Sequence, residues 1–202
     1  MKIAVFVSGR GSNLQSIVET VPSAKAIVSA VISNKADCPA FLIAEKYKIP
    51  HYCVSNVENE GFINYFSLID ILNEGKIELI VLAGFLKKIP DHFVDAFKNR
   101  IINIHPALLP FFGGKGMYGI NVHNAVFNAG MKVSGATVHF VDKIFDNGLI
   151  IAQRAVDISD ADSPESIAKK VLAVEHELLP FVVEKIADGK VIVENNKPKI
   201  LS

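Results

Sequence analysis

The stretch IINIHPALLP, residues 101 to 110, places Asn103 and His105 two positions apart in an apolar run that stops at a proline. If residues 101–105 form a strand, these two side chains share one face and Ile102 and Ile104 take the other. Their spacing is then roughly 6–7 Å, from a rise of about 3.3 Å per residue. A planar carbonyl could sit between them and receive one hydrogen bond from the amide and one from a protonated imidazole. Ligands of α/β proteins gather at the ends of parallel strands. The same pair also reads as a polar strand end bonded to nearby backbone.

A histidine that must be cationic near neutral pH benefits from a carboxylate, which raises its pKa and fixes its ring. Asp146, in the segment VDKIFDNG at 141–148, is a candidate, although Asp ahead of Asn-Gly is also ordinary turn chemistry. A second candidate site is SGRGSN at 8–13, a glycine-rich turn feeding a helix. Such a turn offers free backbone N–H groups and the positive end of a dipole to an anion. It is not a dinucleotide fingerprint, because Leu14 holds the third glycine position and no acid follows the second strand at Ser33-Asn34-Lys35. A single phosphate on Gly11, Ser12 and Asn13 fits; so does the plainer reading of Ser12 as a helix cap beside a tight turn. Glu175 falls inside the apolar stripe of Val171, Val174, Leu178 and Val182. It either reaches water at the edge of the core or meets a cation. The other histidines (His51, His92, His123, His139 and His176) lack metal-ligand spacing and read as structural or surface residues.

The elements that must position these groups follow from periodicity. Apolar runs at 3–7, 26–33, 78–84 and 101–105 read as strands, with helical spacing at 14–21, 39–47 and 61–74 between them. Alternation of this kind predicts a Rossmann-like, mostly parallel central sheet with helices on both faces. After a glycine-rich loop at 113–119 come a short helix near 121–129 and an antiparallel pair at 134–141 and 149–156. A long helix over 164–187 follows, announced by Ser163-Pro164. The fold class is therefore α/β with an antiparallel C-terminal addition. The 202 residues read as one domain, with halves at about 1–100 and 101–202.

Twenty-one basic residues balance 21 acidic ones, which gives no electrostatic case for nucleic acid or a membrane surface. The two cysteines, Cys38 and Cys53, form neither a CxxC pair nor a metal-type spacing and suit a reducing compartment. The N-terminal apolar run is too short for a signal peptide, and a cytoplasmic location is expected.

Six segments occur together and in order: SGRGSNLQ, SNKAD, VLAGF, NIHPALLP, HFVDKIFDNG and EHELLP. With them the chain resembles the phosphoribosylglycinamide formyltransferases over residues 1 to about 190. This is the folate-dependent family that formylates glycinamide ribonucleotide in purine synthesis. The resemblance implies 10-formyltetrahydrofolate as co-substrate, no metal, small-molecule substrates only, and a monomer or homodimer. It implies catalytic roles for Asn103, His105 and Asp146. It also implies a substrate-phosphate loop at Gly11, Ser12 and Asn13, and a contact from Glu175 to the glycinamide end. The implied folate pocket comprises Leu86, Lys87, Lys88, Ile89, Asn103, Asp142, Lys143, Ile144, Phe145 and Asp146, with the pterin held largely by backbone groups. Formyltetrahydrofolate hydrolases usually carry an extra domain in front of this one, and methionyl-tRNA formyltransferases an RNA-binding domain behind it. With a first strand at Lys2 and an end at Ser202, length favours the ribonucleotide enzyme over both. A phosphosugar-binding module without chemistry is the alternative of a different class.

Overall fold

In the computed structural model, which describes residues 1–57 and 59–201, the apolar run at the N-terminus forms strand β1 (Lys2–Phe6). Residues 3–6 are fully buried, as expected of a strand covered on both faces. β1 is paired in parallel on one side with β2 (Ile27–Ser33) and on the other with β4 (Leu79–Leu82); β3 (His51–Cys53) lies in parallel beyond β2. The connecting helices are α1 (Ser12–Thr20), α2 (Phe41–Lys46), α3 (Tyr65–Glu74) and α4 (Asp91–Ala96). Phe93 of α4 packs edge-on to Phe6 at 5.7 Å and Phe85 packs on Phe6 at 5.3 Å, so aromatic edges anchor the helical layer to the central strand. α3 starts where the Asn64 side chain accepts a hydrogen bond from the Ser67 N–H at 2.9 Å.

The chain forms two compact units, Met1–Ile102 and Asn103–Ser202. Strand β5 (Ile101–His105) carries the backbone from the first into the second. The principal sheet, among the described residues, has seven strands in the order β3-β2-β1-β4-β5-β6-β7. Its mostly parallel character and its antiparallel end agree with the sequence expectation.

In the second unit β6 (Val133–Phe140) and β7 (Ile150–Asp157) pair antiparallel. Helix α5 (Ile120–Asn128) precedes them, and the 24-residue α6 (Pro164–Ala187) follows. The start of α6 is set by a capping box at Ser163 and Ser166 with Pro164 at the first helical position. Its buried stripe includes Ile167, Val171, Leu178, Leu179 and Val182. A separate hairpin, β8 (Val191–Glu194) with β9 (Lys197–Ile200), turns through Asn195 and Asn196, both at positive φ. Among the described residues no helix is long and apolar enough to cross a membrane.

Candidate active site

β5 supplies the first two side chains of the site, and the alternation reads as expected. Ile102 and Ile104 are buried, Asn103 is half-buried, and His105 is 3 % exposed. The turn after β6 supplies the third. There Asp142 accepts a hydrogen bond from the Ile144 N–H at 2.7 Å and from the Asn147 side chain at 3.2 Å, which closes the turn. Asp146 follows at φ 53, a left-handed conformation that Asp and Asn tolerate better than most residues. So placed, its Oδ2 lies 3.6 Å from His105 Nδ1 and its Oδ1 3.7 Å from His139 Nε2. His139 in turn lies 3.1 Å from the Asn103 side-chain nitrogen. The structure thus brings Asn103, His105 and Asp146 into one cluster. It also adds His139, which the sequence reading had set aside as structural or surface.

The loop after β5 completes the cluster. The Phe112 carbonyl accepts a hydrogen bond from His105 Nε2 at 2.8 Å, and the Gly114 N–H donates to Asp146 Oδ2 at 2.8 Å. Gly113 leaves room here, because a Cβ there would lie 2.5 Å from the end of the Leu109 side chain and 3.2 Å from the Asp146 Cβ, so both would have to give way. Below the loop, buried Thr137 donates to the Ala107 carbonyl at 2.6 Å and accepts from the Leu109 N–H at 3.1 Å and Gln153 at 3.0 Å. This hub ties the turn after His105 to β6 and β7. No sequence motif announced it, because Thr137 and Gln153 acquire their partners only through the pairing of β6 with β7.

Burial and the Asp146 carboxylate act on His105 in opposite directions. His105 was expected to be cationic at neutral pH. Burial lowers its pKa below the ordinary 6.5, and the pull of Asp146 and of the Phe112 carbonyl in the other direction does not fully offset it. Burial thus favours the uncharged ring. Nε2 carries its proton toward Phe112, and Nδ1 faces the carboxylate. Asp146 itself stays ionised. Burial opposes its charge, but the His139 and His105 imidazoles and the Gly114 N–H together bring its pKa below 3.8. His123 on α5 is 6 % exposed, and its buried Nδ1 has no hydrogen-bond partner among the described residues. Burial and the nearby His105 lower its pKa also.

These shifts give stability a definite pH dependence. The unfolded chain protonates its histidines near pH 6.5, before the buried His105 and His123 do so. It then binds more protons than the folded chain, and stability falls with acid. The contribution of Asp146 is present above pH 3.8 and is lost as pH falls through its lower folded value. The urea midpoint is expected to decline steadily from about pH 6.5 downward; a midpoint that rises over this range would contradict the assignment.

The other expected site residues lie as follows. Glu175 is 8 % exposed within the apolar stripe of α6, so it is buried and not at a wet edge. In the first unit, α1 begins at Ser12 with Gly11 as the N-cap, at φ 79 and with no side-chain cap bond. Ser12 is therefore the first helical residue and not the cap. Gly11 is required twice over, by its positive φ and because a Cβ would lie 2.7 Å from the Ala40 Cβ. The first turn of α1 holds no acidic residue, which leaves its positive end uncompensated by a local carboxylate. Also in the first unit, the Leu86 N–H donates to buried Ser8 Oγ at 2.9 Å, and Ser8 donates to Asn34 Oδ1 at 2.5 Å. Leu86, Lys87 and Lys88 are exposed, Lys88 is paired with Asp91 at 2.9 Å, and Ile89 is buried. In the second unit Lys143, Ile144 and Phe145 are exposed beside Asp146.

A mostly parallel sheet, a polar pair at the end of β5 and an aspartate turn after β6 give an α/β frame that carries a polar cluster, and the comparisons specify its family. Residues 1–183 match the formyl transferase family, and the chain belongs to it. It is 43 % identical over 194 residues to the chloroplastic phosphoribosylglycinamide formyltransferase of Arabidopsis thaliana, covering 94 % of this chain and 66 % of that one, just under two thirds of the relative's length. With the Bacillus subtilis phosphoribosylglycinamide formyltransferase it shares 36 % identity, covering 92 % of this chain and 94 % of the relative. The crystal structure of phosphoribosylglycinamide formyltransferase from Anaplasma phagocytophilum superposes with a TM-score of 0.90 at 35 % identity, covering 100 % of this chain and 95 % of the other.

Proposed function

We propose that the protein transfers the formyl group of 10-formyltetrahydrofolate to the amine of glycinamide ribonucleotide, a step of purine biosynthesis. The observation that carries this reading is the buried cluster of the second unit: Asp146 lies between His105 and His139, and Asn103 lies on His139. The family membership and the names of the relatives support the substrates.

The neutral amine attacks the formyl carbon, and negative charge develops on the formyl oxygen. Asn103 donates an N–H to that oxygen. The new C–N bond leaves the amine nitrogen positive. Its proton passes to His105 Nδ1, directly or through water, and the resulting imidazolium is held between the Asp146 carboxylate and the Phe112 carbonyl. Both ring nitrogens already face acceptors, the Phe112 carbonyl at hydrogen-bond distance and the Asp146 carboxylate at 3.6 Å, where charge attraction holds the cation. The same proton then goes to the folate nitrogen as its bond to the formyl carbon breaks. His105 is returned to its neutral form, and one proton has moved from amine to folate. Neutral His105 is thus the form ready for catalysis.

In the first unit the backbone of Gly11, Ser12 and Asn13 takes the ribonucleotide phosphate at the start of α1, and the backbone of Leu86, Lys87, Lys88 and Ile89 takes folate. In the second unit Glu175 takes the glycinamide end. Asn103 and the turn Asp142–Asp146 take folate, with Lys143, Ile144 and Phe145 at its surface. Both units serve a single formyltransferase domain. The reaction needs small-molecule substrates only and no metal, and is placed in the cytoplasm in a monomer or homodimer.

The test mixes protein and 10-formyltetrahydrofolate with and without glycinamide ribonucleotide. Donor consumption that requires the nucleotide is expected. Consumption without it would mark a hydrolase, and no consumption with either would mark a binding module.

A further inference from the structure

His139 is 2 % exposed near the end of β6 and would pass for a core residue, but its surroundings make it specific. The β6–β7 pairing shifts register between Val138 and His139. Such an irregularity re-aims a strand side chain, and is common beside active sites. The ring's two nitrogens then meet two different groups. Nδ1 lies 2.7 Å from the Phe140 carbonyl, which can only accept, so Nδ1 carries the proton. In the neutral ring Nε2 is left with a lone pair. Its partner at 3.1 Å is the Asn103 side-chain nitrogen, which can only donate. The tautomer of His139 and the orientation of the Asn103 amide therefore imply each other. Were the amide turned over, its oxygen would face the lone pair of Nε2. Asp146 Oδ1 lies farther off, 3.7 Å from Nε2, so the 3.1 Å contact with Asn103 is the shorter of the two.

We infer that His139 is a positioning residue for formyl transfer: its Phe140-locked tautomer fixes the Asn103 amide with its nitrogen inward. One Asn103 N–H is held by His139, and the second, fixed in the same plane, is left for the formyl oxygen. His139 does not touch the substrate. Its effect on the rate passes chiefly through Asn103, the nearer of its two polar neighbours at Nε2. The inference rests on the formyl-transfer reading above and adds to it the group that aims the oxyanion donor.

A double-mutant cycle tests this in single-turnover formyl transfer. His139→Ala alone is expected to lower the rate about 10–100-fold, the scale of a misaimed catalytic group, with the KM of both substrates nearly unchanged. In the Asn103→Ala background the same change should cost far less, a few-fold at most. His139→Gln, whose carbonyl can stand near the position of Nε2, should recover most of the rate when Asn103 is present and have no effect when it is absent. Equal losses from His139→Ala in both backgrounds would overturn the inference, because a residue serving only the packing of β6 harms both alike. If the alanine variant does not fold, the glutamine variant decides: a rate as low as that of Asn103→Ala overturns the inference. Wild-type protein that transfers no formyl would remove the underlying reading, and the inference with it; additive losses in an active enzyme would remove the inference alone.

Discussion

Asp146→Asn is expected to lower kcat about 10²–10⁴-fold, the range lost with a general acid–base function, while the KM of the ribonucleotide changes little. The substitution is chosen to isolate charge. Asn tolerates the φ of 53 at this position as Asp does, so the backbone of the turn is kept. Its side-chain oxygen can still accept from the Gly114 N–H, now 2.8 Å from Oδ2. What disappears is the negative charge 3.6 Å from His105 Nδ1. In the neutral site that charge matters little to a neutral imidazole. It matters when His105 takes the amine's proton, because the buried imidazolium then has only the Phe112 carbonyl to face. The effect therefore falls on the transition state and appears in kcat. The pH dependence should move too. Asp146 raises the His105 pKa against the effect of burial, so its removal shifts the titration of His105 further to the acid side. Steady-state kinetics across pH measure both effects. Near-normal turnover would show that the imidazolium does not form or does not need Asp146.

Asn103→Ala is expected to cost about 10²–10³ in kcat, the loss typical of a single oxyanion donor. The ground-state carbonyl oxygen of the donor carries little charge, so binding of 10-formyltetrahydrofolate should weaken far less than turnover. Two further consequences distinguish a lost donor from local collapse. The variant leaves His139 Nε2 without its 3.1 Å partner, a modest cost in a cluster that Thr137, Gln153 and the loop after β5 hold independently. Thermal unfolding should therefore remain cooperative, with a midpoint lowered by only a few degrees. In Asn103→Asp, a carboxylate in place of the amide loses the donor and adds like charge near Asp146, and should be less active than Asn103→Ala. Stopped-flow measurement of a single turnover reads these rates directly.

How much of this was legible in the chain depends on the length scale of each signal. The long apolar and helical runs were clear. Helix α6 was expected over 164–187 and occupies Pro164–Ala187, because Ser163-Pro164 fixes its start locally. Helix α1 starts at Ser12, two residues before the expected 14, because Gly11 and not a side chain is its cap. β3 and α4 were missed: three residues of strand and six of helix carry too little periodicity to stand out. The β8–β9 hairpin was missed although Asn195-Asn196 is a recognisable two-residue turn. At the site, i and i+2 spacing sufficed to pair Asn103 with His105. That Asp146 meets them depends on a strand pairing and a loop that no local pattern encodes. His139 was passed over for the same reason. Its strand, TVHFV, is continuous with the core, and only the register shift against β7 and the proximity of Asn103 give the ring a task. The burial that opposes a charge on His105 was not legible either, because sequence shows its carboxylate partner and not its surroundings.

The central claim, that this cluster moves a formyl group from folate nitrogen to substrate amine, is tested most directly by following the formyl carbon itself. Isotopically labelled 10-formyltetrahydrofolate, glycinamide ribonucleotide and the wild-type protein are mixed, and the label is located by NMR. The predicted result is label on the glycinamide nitrogen, one equivalent for each donor consumed, and label left on the folate over the same interval with Asp146→Asn. Label recovered as free formate, or transfer by Asp146→Asn as fast as by wild type, would contradict the account.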